Sequence, residues 1–155
     1  MSLKLMYITN RPEIALIAES AGVERIFVDM EYIGKSDRQG GMDTVQSRHT
    51  PRDVASLRQV LTRAELLVRC NPIHGATDAY GSSAEEIDAV IQAGADVIML
   101  PYFKTAEEVR TFVELVGGRA RTMLLFETPE SVAAVREILA VGGMLYLFFK
   151  LRKRD

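Results

Sequence analysis

The stretch Met123-Leu124-Leu125-Phe126-Glu127-Thr128 consists of four apolar residues followed by a carboxylate and a residue that starts a helix. Three other stretches repeat this pattern: Ile26-Phe27-Val28-Asp29-Met30-Glu31, Leu66-Leu67-Val68-Arg69-Cys70-Asn71 and Val97-Ile98-Met99-Leu100-Pro101. Buried parallel strands are nearly continuous apolar runs, because helices or other strands cover both of their faces. The four stretches therefore predict parallel strands with polar or turn residues at their carboxyl ends, where α/β folds build active sites.

Helix-start patterns follow the predicted strands along the whole chain. Pro12 and Thr50-Pro51 are typical of a first helical turn, and Ser83-Ala84-Glu85-Glu86 resembles a capping box. Thr105 and Thr128-Pro129 open the last two predicted helices, the second of which ends at Gly142-Gly143. Strands are predicted at residues 3–9, 25–31, 65–70, 96–100 and 122–127. The alternation indicates one α/β domain with a parallel sheet.

The parallel sheet is either an open doubly wound sheet or a barrel. No glycine-rich phosphate-binding motif follows any predicted strand, which disfavours a nucleotide-binding open sheet. Polar residues at the ends of several strands favour a barrel. A complete barrel needs ~250 residues, and the chain has 155. The expected fold class is therefore α/β, a (β/α)8 TIM-barrel type truncated after about five to six βα units.

The segment after Gly143 differs from the rest of the chain. Residues 144–155 form either a sixth strand or an atypical tail. No carboxylate follows their apolar run, which ends in a basic cluster. We therefore predict a partial barrel domain over residues 1–143 and an atypical C-terminal tail over residues 144–155. The abrupt change at Met144 leads to the hypothesis of a truncated or frame-shifted product of a longer gene.

Composition excludes several classes of function. The formal net charge of −2 provides no basic surface for nucleic acid and no polybasic membrane patch. No segment approaches the ~20 apolar residues of a membrane helix. The single cysteine, Cys70, excludes an internal disulfide. We expect a soluble, cytoplasmic protein.

Glu127 and Arg69 are the strongest candidates for chemistry. A carboxylate at the end of a buried strand is suited to a divalent cation, although Glu127 could instead cap its helix or pair with Arg69 or Arg121. An arginine at such a position needs a carboxylate or phosphate partner. That partner is either a substrate or a neighbouring acid, Asp29 or Glu31.

Asp29 and Glu31 alternate with one residue between them, so they share a face of the second predicted strand. Two close carboxylates repel unless a cation joins them or one is protonated, and such pairs suit metal binding or proton transfer. The alternative is that one of them caps the following loop.

The remaining polar candidates are weaker. His49 and His74 are predicted in loops, without a second histidine at metal-ligand spacing. Cys70 alternates away from the face of Arg69 and is expected to be a buried structural thiol. A cluster of cations in the long loop suits either an anionic substrate or a solvated loop: Lys35, Arg38 and Arg48.

Together, these stretches resemble the HpcH/HpaI aldolase and citrate lyase β-subunit family, of the pyruvate/phosphoenolpyruvate-binding barrel superfamily. The resemblance covers about residues 3–141 and lies in four segments in register, residues 21–31, 67–72, 93–101 and 124–130. It implies a divalent-metal-dependent carbon–carbon lyase or aldolase that acts on a 2-oxo acid or an acyl-CoA through an enolate. It also implies a homo-oligomer.

The resemblance assigns roles to individual residues. Arg69 would be the catalytic arginine that contacts the substrate carboxylate, with Asn71 as a second substrate ligand and Glu127 as a ligand of Mg²⁺ or Mn²⁺. Asp29 and Glu31 would be supporting residues. The chain departs from the family in two ways: Glu31-Tyr32 replaces a Glu-His pair, and the second metal carboxylate after strand six is missing. The rival interpretations are a non-catalytic remnant or small-carboxylate-binding module, and an unrelated open-sheet enzyme.

Overall fold

The computed structural model describes residues 4–33, 49–77, 81–143 and 146–149, and strands alternate with helices through these parts of the chain. The strands are β1 (Met6–Ile8), β2 (Arg25–Asp29), β3 (Glu65–Arg69), β4 (Val97–Leu100), β5 (Arg121–Phe126) and β6 (Tyr146–Phe149). The helices are α1 (Pro12–Ser20), α2 (Pro51–Val60), α3 (Ser83–Gln92), α4 (Ala106–Val116), α5 (Pro129–Ala133) and α6 (Val135–Ala140).

All six strands are parallel and lie in the sheet in the order in which they occur in the sequence. A doubly wound open sheet reverses its strand order at a switch point, and this sheet has no such reversal. Consecutive order with a helix after each of the first five strands is the arrangement of a (β/α) barrel. The described residues form a curled half-barrel of six strands.

A contact between distant strands shows how strongly the sheet curls. The guanidinium carbon of Arg25 on β2 lies 4.2 Å from the ring centroid of Tyr146 on β6. In a flat sheet these strands would be ~19 Å apart, at ~4.8 Å for each step. The two side chains meet because both project from the concave face.

Apolar side chains alternate between the two faces of the sheet. The face toward the helices carries the larger core, which includes Ile26, Val68, Ile98 and Leu124 packed on helix residues such as Phe112. The concave face carries a smaller cluster that consists of Phe27, Leu67, Val97, Met99, Met123 and Leu125. Burial on both faces explains the continuous apolar runs in the sequence.

The amino end of the concave face carries a buried charged group. Glu65 on β3 accepts from Arg25 Nε and contacts Arg121 Nη1, both at 2.5 Å. Burial alone would raise the pKa of Glu65, but the hydrogen bond from Arg25 and the charges of both arginines lower it below its usual value. Arg121 is therefore engaged with Glu65 at the opposite end of β5 from Glu127.

The predicted helix starts at Thr50 and Thr105 are confirmed, and one predicted cap needs a correction. Thr50 and Thr105 precede their helices, and their hydroxyls bond Asp53 and Glu108. The box predicted at Ser83 and Glu86 was wrong: Ser82 accepts from the Glu85 N–H, and the Glu85 carboxylate accepts from the Ser82 N–H at 2.7 Å. The spacing fits both pairs, but Ser83 and Glu86 face inward, so the outward pair makes the cap.

The carboxyl-terminal part contains a break and an added strand. The helix predicted from Thr128 to Gly142-Gly143 is interrupted at Ala134, whose ψ of 13° separates α5 from α6. For the segment after Gly143, the strand alternative is correct over 146–149, since β6 extends the sheet beside β5. The domain division at residue 143 stays a prediction, and residues 150–155 lie outside the described parts.

Candidate active site at the carboxyl ends of the strands

The predicted site residues come together at one end of the sheet. Asp29 and Arg69 are the last residues of β2 and β3 and are direct partners in the strand register. Glu31 and Asn71 lie two residues further on, and Glu127 follows β5 immediately. Parallel strands place all their carboxyl ends at the same edge, so residues that are distant in sequence share one site.

Arg69 is held by Asp29 in a two-pronged ion pair. Its Nε lies 2.9 Å from Asp29 Oδ1, and its Nη2 lies 2.7 Å from Oδ2. Its third nitrogen, Nη1, lies 3.4 Å from Glu31 Oε2. Only 15% of the Arg69 side chain is exposed, and its guanidinium lies 5.7 Å from the centroid of the Phe27 ring. The neighbouring acids therefore do pair with Arg69, an alternative that the sequence left open.

The electrostatic surroundings keep Arg69 charged. Burial alone would lower its pKa, but the hydrogen bond with Asp29 and the charges of Asp29, Glu31 and Glu127 raise the pKa above its ordinary value. Glu127 follows β5 at the same edge of the sheet as Arg69. Arg69 is therefore a permanent cation with a fixed orientation.

Glu127 does not cap the helix that follows it. Its Oε1 accepts a hydrogen bond from the backbone N–H of Tyr102, at 3.3 Å. The cap is provided by Thr128, whose hydroxyl accepts from the Ser131 N–H at 3.0 Å and donates to the carbonyl of Phe103 at 2.8 Å. Thr128 thus leaves the Glu127 carboxylate directed to the strand ends rather than to α5.

Tyr102 is the strained residue of the site. Its φ is +52°, in the left-handed region that a tyrosine rarely adopts. This conformation directs its N–H toward Glu127. Backbone strain of this kind is concentrated at functional sites, because the surrounding structure must maintain it. No sequence pattern predicted this position.

Among the described candidate residues, the three carboxylates of Asp29, Glu31 and Glu127 outnumber the single guanidinium of Arg69, which leaves an excess of negative charge. An anionic substrate would be repelled there unless a cation accompanied it. No group of three or more His, Cys, Asp or Glu residues within the described ranges is arranged to hold a metal ion. Glu127 can contribute one carboxylate, whereas Asp29 and Glu31 are paired with Arg69. The described donor set thus meets the lower limit for Mg²⁺, which binds one or two carboxylates with waters and substrate oxygens.

Asn71 lies beneath the site and is 3% exposed. Its side chain contacts the backbone N–H groups of Tyr32 and Ile33 and the carboxylate of Glu86. Sequence reasoning missed Glu86, because its spacing from Ser83 had assigned it to the helix cap. The substrate-binding role of Asn71 stays a prediction.

The structure also describes three other titratable candidates, Cys70, His74 and His49. Cys70 is a buried thiol as expected, and burial, with a smaller effect of Glu86, raises its pKa well above the usual value. His74 Nε2 lies 3.4 Å from a Glu86 oxygen. His49 Nδ1 is buried without a hydrogen-bond partner among the described residues. The loop cations lie outside those residues: Lys35, Arg38 and Arg48.

A cavity of about 450 Å³ opens at the other end of the sheet. Its polar lining includes Asp96, Arg119, Arg121 and Thr122. Asp96 pairs with Arg58, and Arg121 pairs with Glu65. Active sites of barrels occupy the carboxyl ends of the strands, whereas the opposite end serves stability. We therefore place the candidate site at the Arg69 end.

Comparison with known proteins gives the family. The model of the HpcH/HpaI aldolase/citrate lyase family matches residues 5–150. The chain belongs to this family. A comparison with curated proteins found no match. This match confirms the resemblance to the HpcH/HpaI family seen in the sequence. It also extends over β6.

Similar solved structures share the fold at low identity. An HpcH/HpaI aldolase/citrate lyase family protein from Burkholderia cenocepacia J2315 is 17% identical with a TM-score of 0.72, over 94% of this chain and 62% of that one. An HpcH/HpaI aldolase from Desulfitobacterium hafniense DCB-2 is 18% identical with a TM-score of 0.66, over 95% and 62%. A mandelate oxidase variant is 16% identical with a TM-score of 0.61, over 90% and 45%.

These likenesses show the fold alone, because an oxidase and an aldolase both match. The chain spans about 62% of the length of the two HpcH/HpaI structures. In the described ranges, no helix has the length and apolar character needed to cross a membrane. Function must therefore be argued from the site.

Proposed function

We propose that this HpcH/HpaI chain carries the substrate-binding site of a divalent-metal-dependent carbon–carbon lyase or aldolase. The substrate would be a 2-oxo acid of the pyruvate or oxaloacetate type, or an acyl-CoA, and the reaction would proceed through an enolate. The observation that supports this proposal most strongly is the guanidinium of Arg69, which Asp29 holds in a two-pronged pair at the strand ends of the family fold.

Arg69 would anchor the substrate carboxylate. A guanidinium has five N–H donors, and Asp29 accepts from only two of its nitrogens, Nε and Nη2. The contact from Nη1 to Glu31 is longer, at 3.4 Å. A carboxylate that binds at Nη1 would replace the weaker contact and leave the Asp29 pair intact. Asp29 would thus orient Arg69 without blocking it.

Glu127 would provide a carboxylate ligand for Mg²⁺ or Mn²⁺, with the remaining ligands from substrate oxygens and water. When bound, such a cation polarises the substrate carbonyl and stabilises the negative charge of the enolate. The Tyr102 N–H would hold Glu127 Oε1 in place and so orient the carboxylate. The excess of negative charge around Arg69 supports a requirement for a cation.

A second proposal is a non-catalytic module that binds small carboxylates. This alternative is favoured because Glu127 offers a single carboxylate and the described residues contain no group of three or more possible ligands. Such a module would bind a 2-oxo acid at Arg69 but would not accelerate carbon–carbon cleavage. Homo-oligomer formation and a cytoplasmic location stay predictions for both proposals.

The test combines turnover with ligand-induced stabilisation. Purified chain is assayed for oxaloacetate decarboxylation and thermal stability with Mg²⁺ or Mn²⁺, for wild type, Glu127→Ala and Glu130→Ala. Glu130 is an exposed acid three residues further on and serves as the matched control. The lyase proposal predicts metal-dependent turnover and stabilisation that Glu127→Ala loses and Glu130→Ala retains. Stabilisation without turnover supports the binding module, and neither effect in wild type contradicts both proposals.

A further inference from the structure

The side chain of Asn71 joins two loops at the base of the candidate site. Its Oδ1 accepts hydrogen bonds from the backbone N–H groups of Tyr32 and Ile33, at 2.8 and 2.9 Å. Its Nδ2 donates to Glu86 Oε1 at 2.8 Å. The loop after β2 and the loop after β3 are therefore connected through one buried amide.

Glu86 fixes the orientation of that amide. It also accepts from the Asn71 backbone N–H, with oxygens at 3.2 and 3.3 Å. A flipped amide would direct its NH₂ group at two N–H donors and its oxygen at the Glu86 carboxylate. Both contacts would be repulsive, so the partners allow a single orientation.

The connected segments carry the site residues. Tyr32 and Ile33 follow Glu31, whose carboxylate contacts Arg69 Nη1, and Asn71 lies two residues after Arg69. The N–H of Met30 donates to the carbonyl of Arg69 at 3.0 Å and connects the two strand ends. Beyond Met30 and Arg69, the side-chain amide of Asn71 connects the two loops.

Glu86 serves neither its own helix nor Arg69 directly. Glu85 completes the cap of α3, which leaves the inward-facing Glu86 for another role. The Glu86 side chain is 13% exposed, and His74 lies against its second oxygen. Burial raises the pKa of Glu86 despite the hydrogen bonds from Asn71 and His74, which lower it. A buried carboxylate is costly unless its hydrogen bonds compensate, so the arrangement needs a structural reason.

We propose that Glu86 is a positioning residue, which acts through Asn71 to hold residues 31–33 and thereby sets the position of Glu31 against Arg69. The consequence for substrate binding depends on the proposed function: a displaced Glu31 would alter the part of Arg69 that receives the substrate carboxylate. The consequence for the loop does not depend on it.

The experiment measures the loop and the ligand separately. Amide hydrogen exchange of Tyr32 and Ile33 is followed by NMR. The affinity for oxalate, a planar mimic of the pyruvate enolate, is measured by calorimetry in the presence of Mg²⁺. Glu86→Ala is compared with Glu86→Gln, which keeps an acceptor oxygen for Asn71. Glu85→Gln is the matched control, because it alters the neighbouring acid on the outer side of the same helix.

In Glu86→Ala, we expect exchange at Tyr32 and Ile33 to become about tenfold faster or more, since their buried acceptor loses its support. Oxalate affinity should fall about fivefold or more. Glu86→Gln should keep the exchange rates and the oxalate affinity close to their wild-type values. Glu85→Gln should leave both quantities unchanged. Asn71→Asp, which sets a second carboxylate against Glu86, should accelerate the same two amides if Glu86→Ala does not fold.

The outcomes separate the two proposals. Unchanged exchange at Tyr32 and Ile33 in both Glu86→Ala and Asn71→Asp would overturn the positioning role, whatever the activity of the chain. Faster exchange with unaltered oxalate affinity would overturn its link to the site. If wild type fails to bind oxalate, the proposed function fails, but faster exchange in the variants still supports the positioning of residues 31–33.

Discussion

Arg25 on β2 lies over the ring of Tyr146 on β6, although three strands separate them in the sheet. Tyr146 therefore covers the amino end of the concave face, where Glu65 pairs with two arginines. Arg25 Nη2 has no hydrogen-bond partner among the described residues. The aromatic face is thus an important partner of this buried cation.

This contact predicts energetic coupling between two strands that do not pair. A double-mutant cycle with Arg25→Met and Tyr146→Phe or Tyr146→Ala, measured by urea unfolding, should give a coupling of about 1–2 kcal/mol for Ala and much less for Phe. The control is Leu147→Ala, the exposed neighbour on β6. Additive effects of Arg25→Met and Tyr146→Ala would show that the sheet is flatter than described.

Removing the charge of Asp29 should destabilise the fold. Asp29→Asn leaves the Arg69 guanidinium, which is largely buried, with a weaker acceptor, and we expect a loss of roughly 2–4 kcal/mol in the free energy of unfolding. Asp88→Asn, which removes an acid from a half-exposed pair with Arg119, should cost less than about 1 kcal/mol. Equal effects of the two substitutions would contradict a structural role of Asp29 in holding Arg69.

Glu19 should make stability depend on acid pH. It is 6% exposed and accepts backbone hydrogen bonds from Thr62, Arg63 and Ala64. Burial would raise its pKa, but these hydrogen bonds lower it below the usual 4.5. Its stabilisation is therefore complete above the unfolded pKa and is lost as pH falls through the lower folded pKa.

The corresponding test is Glu19→Gln, which should lose about 1–3 kcal/mol of unfolding free energy at pH 7. The difference from wild type should shrink below about pH 4.5, as wild-type Glu19 becomes protonated. Urea unfolding from pH 7 to pH 3 measures both variants. A difference that stays constant down to pH 3 would show that the hydrogen bonds do not depend on the ionised form.

The backbone of Tyr102 predicts an unusual order among substitutions. Glycine adopts its left-handed φ freely, whereas a β-branched residue there is a strong outlier. Tyr102→Val should therefore be less stable than Tyr102→Gly by about 1–2 kcal/mol, measured by thermal unfolding. Val would be the more stable of the two if the backbone were not left-handed at this position.

The sequence predicted those parts of the fold and site that local patterns determine. Apolar runs specified β2 to β5, and the register of parallel strands brought Asp29 and Arg69 together, which is one of the pairings that the sequence left open. Thr50 and Thr105 predicted the starts of their helices, because a capping box is a local pattern: it needs only a hydroxyl side chain and an acid three residues later. The family resemblance was confirmed by the match over residues 5–150.

Other features depended on tertiary structure and could not be predicted locally. Ser83 and Glu86 fit the capping pattern as well as Ser82 and Glu85, and only burial distinguishes the two pairs. The stacking of Arg25 on Tyr146 requires the curl of the whole sheet. The left-handed Tyr102 depends on its surroundings, since nothing in its neighbouring residues favours that conformation.

The most direct test of the central claim is calorimetric titration of oxalate, a planar mimic of the pyruvate enolate. It is titrated into wild type, Arg69→Lys and Glu127→Gln, with and without Mg²⁺. We predict metal-dependent binding to wild type, at least about tenfold weaker binding to Arg69→Lys because the two-pronged geometry is lost, and no metal dependence in Glu127→Gln. Equal affinities in all three proteins, or no saturable binding to wild type, would contradict a 2-oxo acid site built on Arg69 and Glu127.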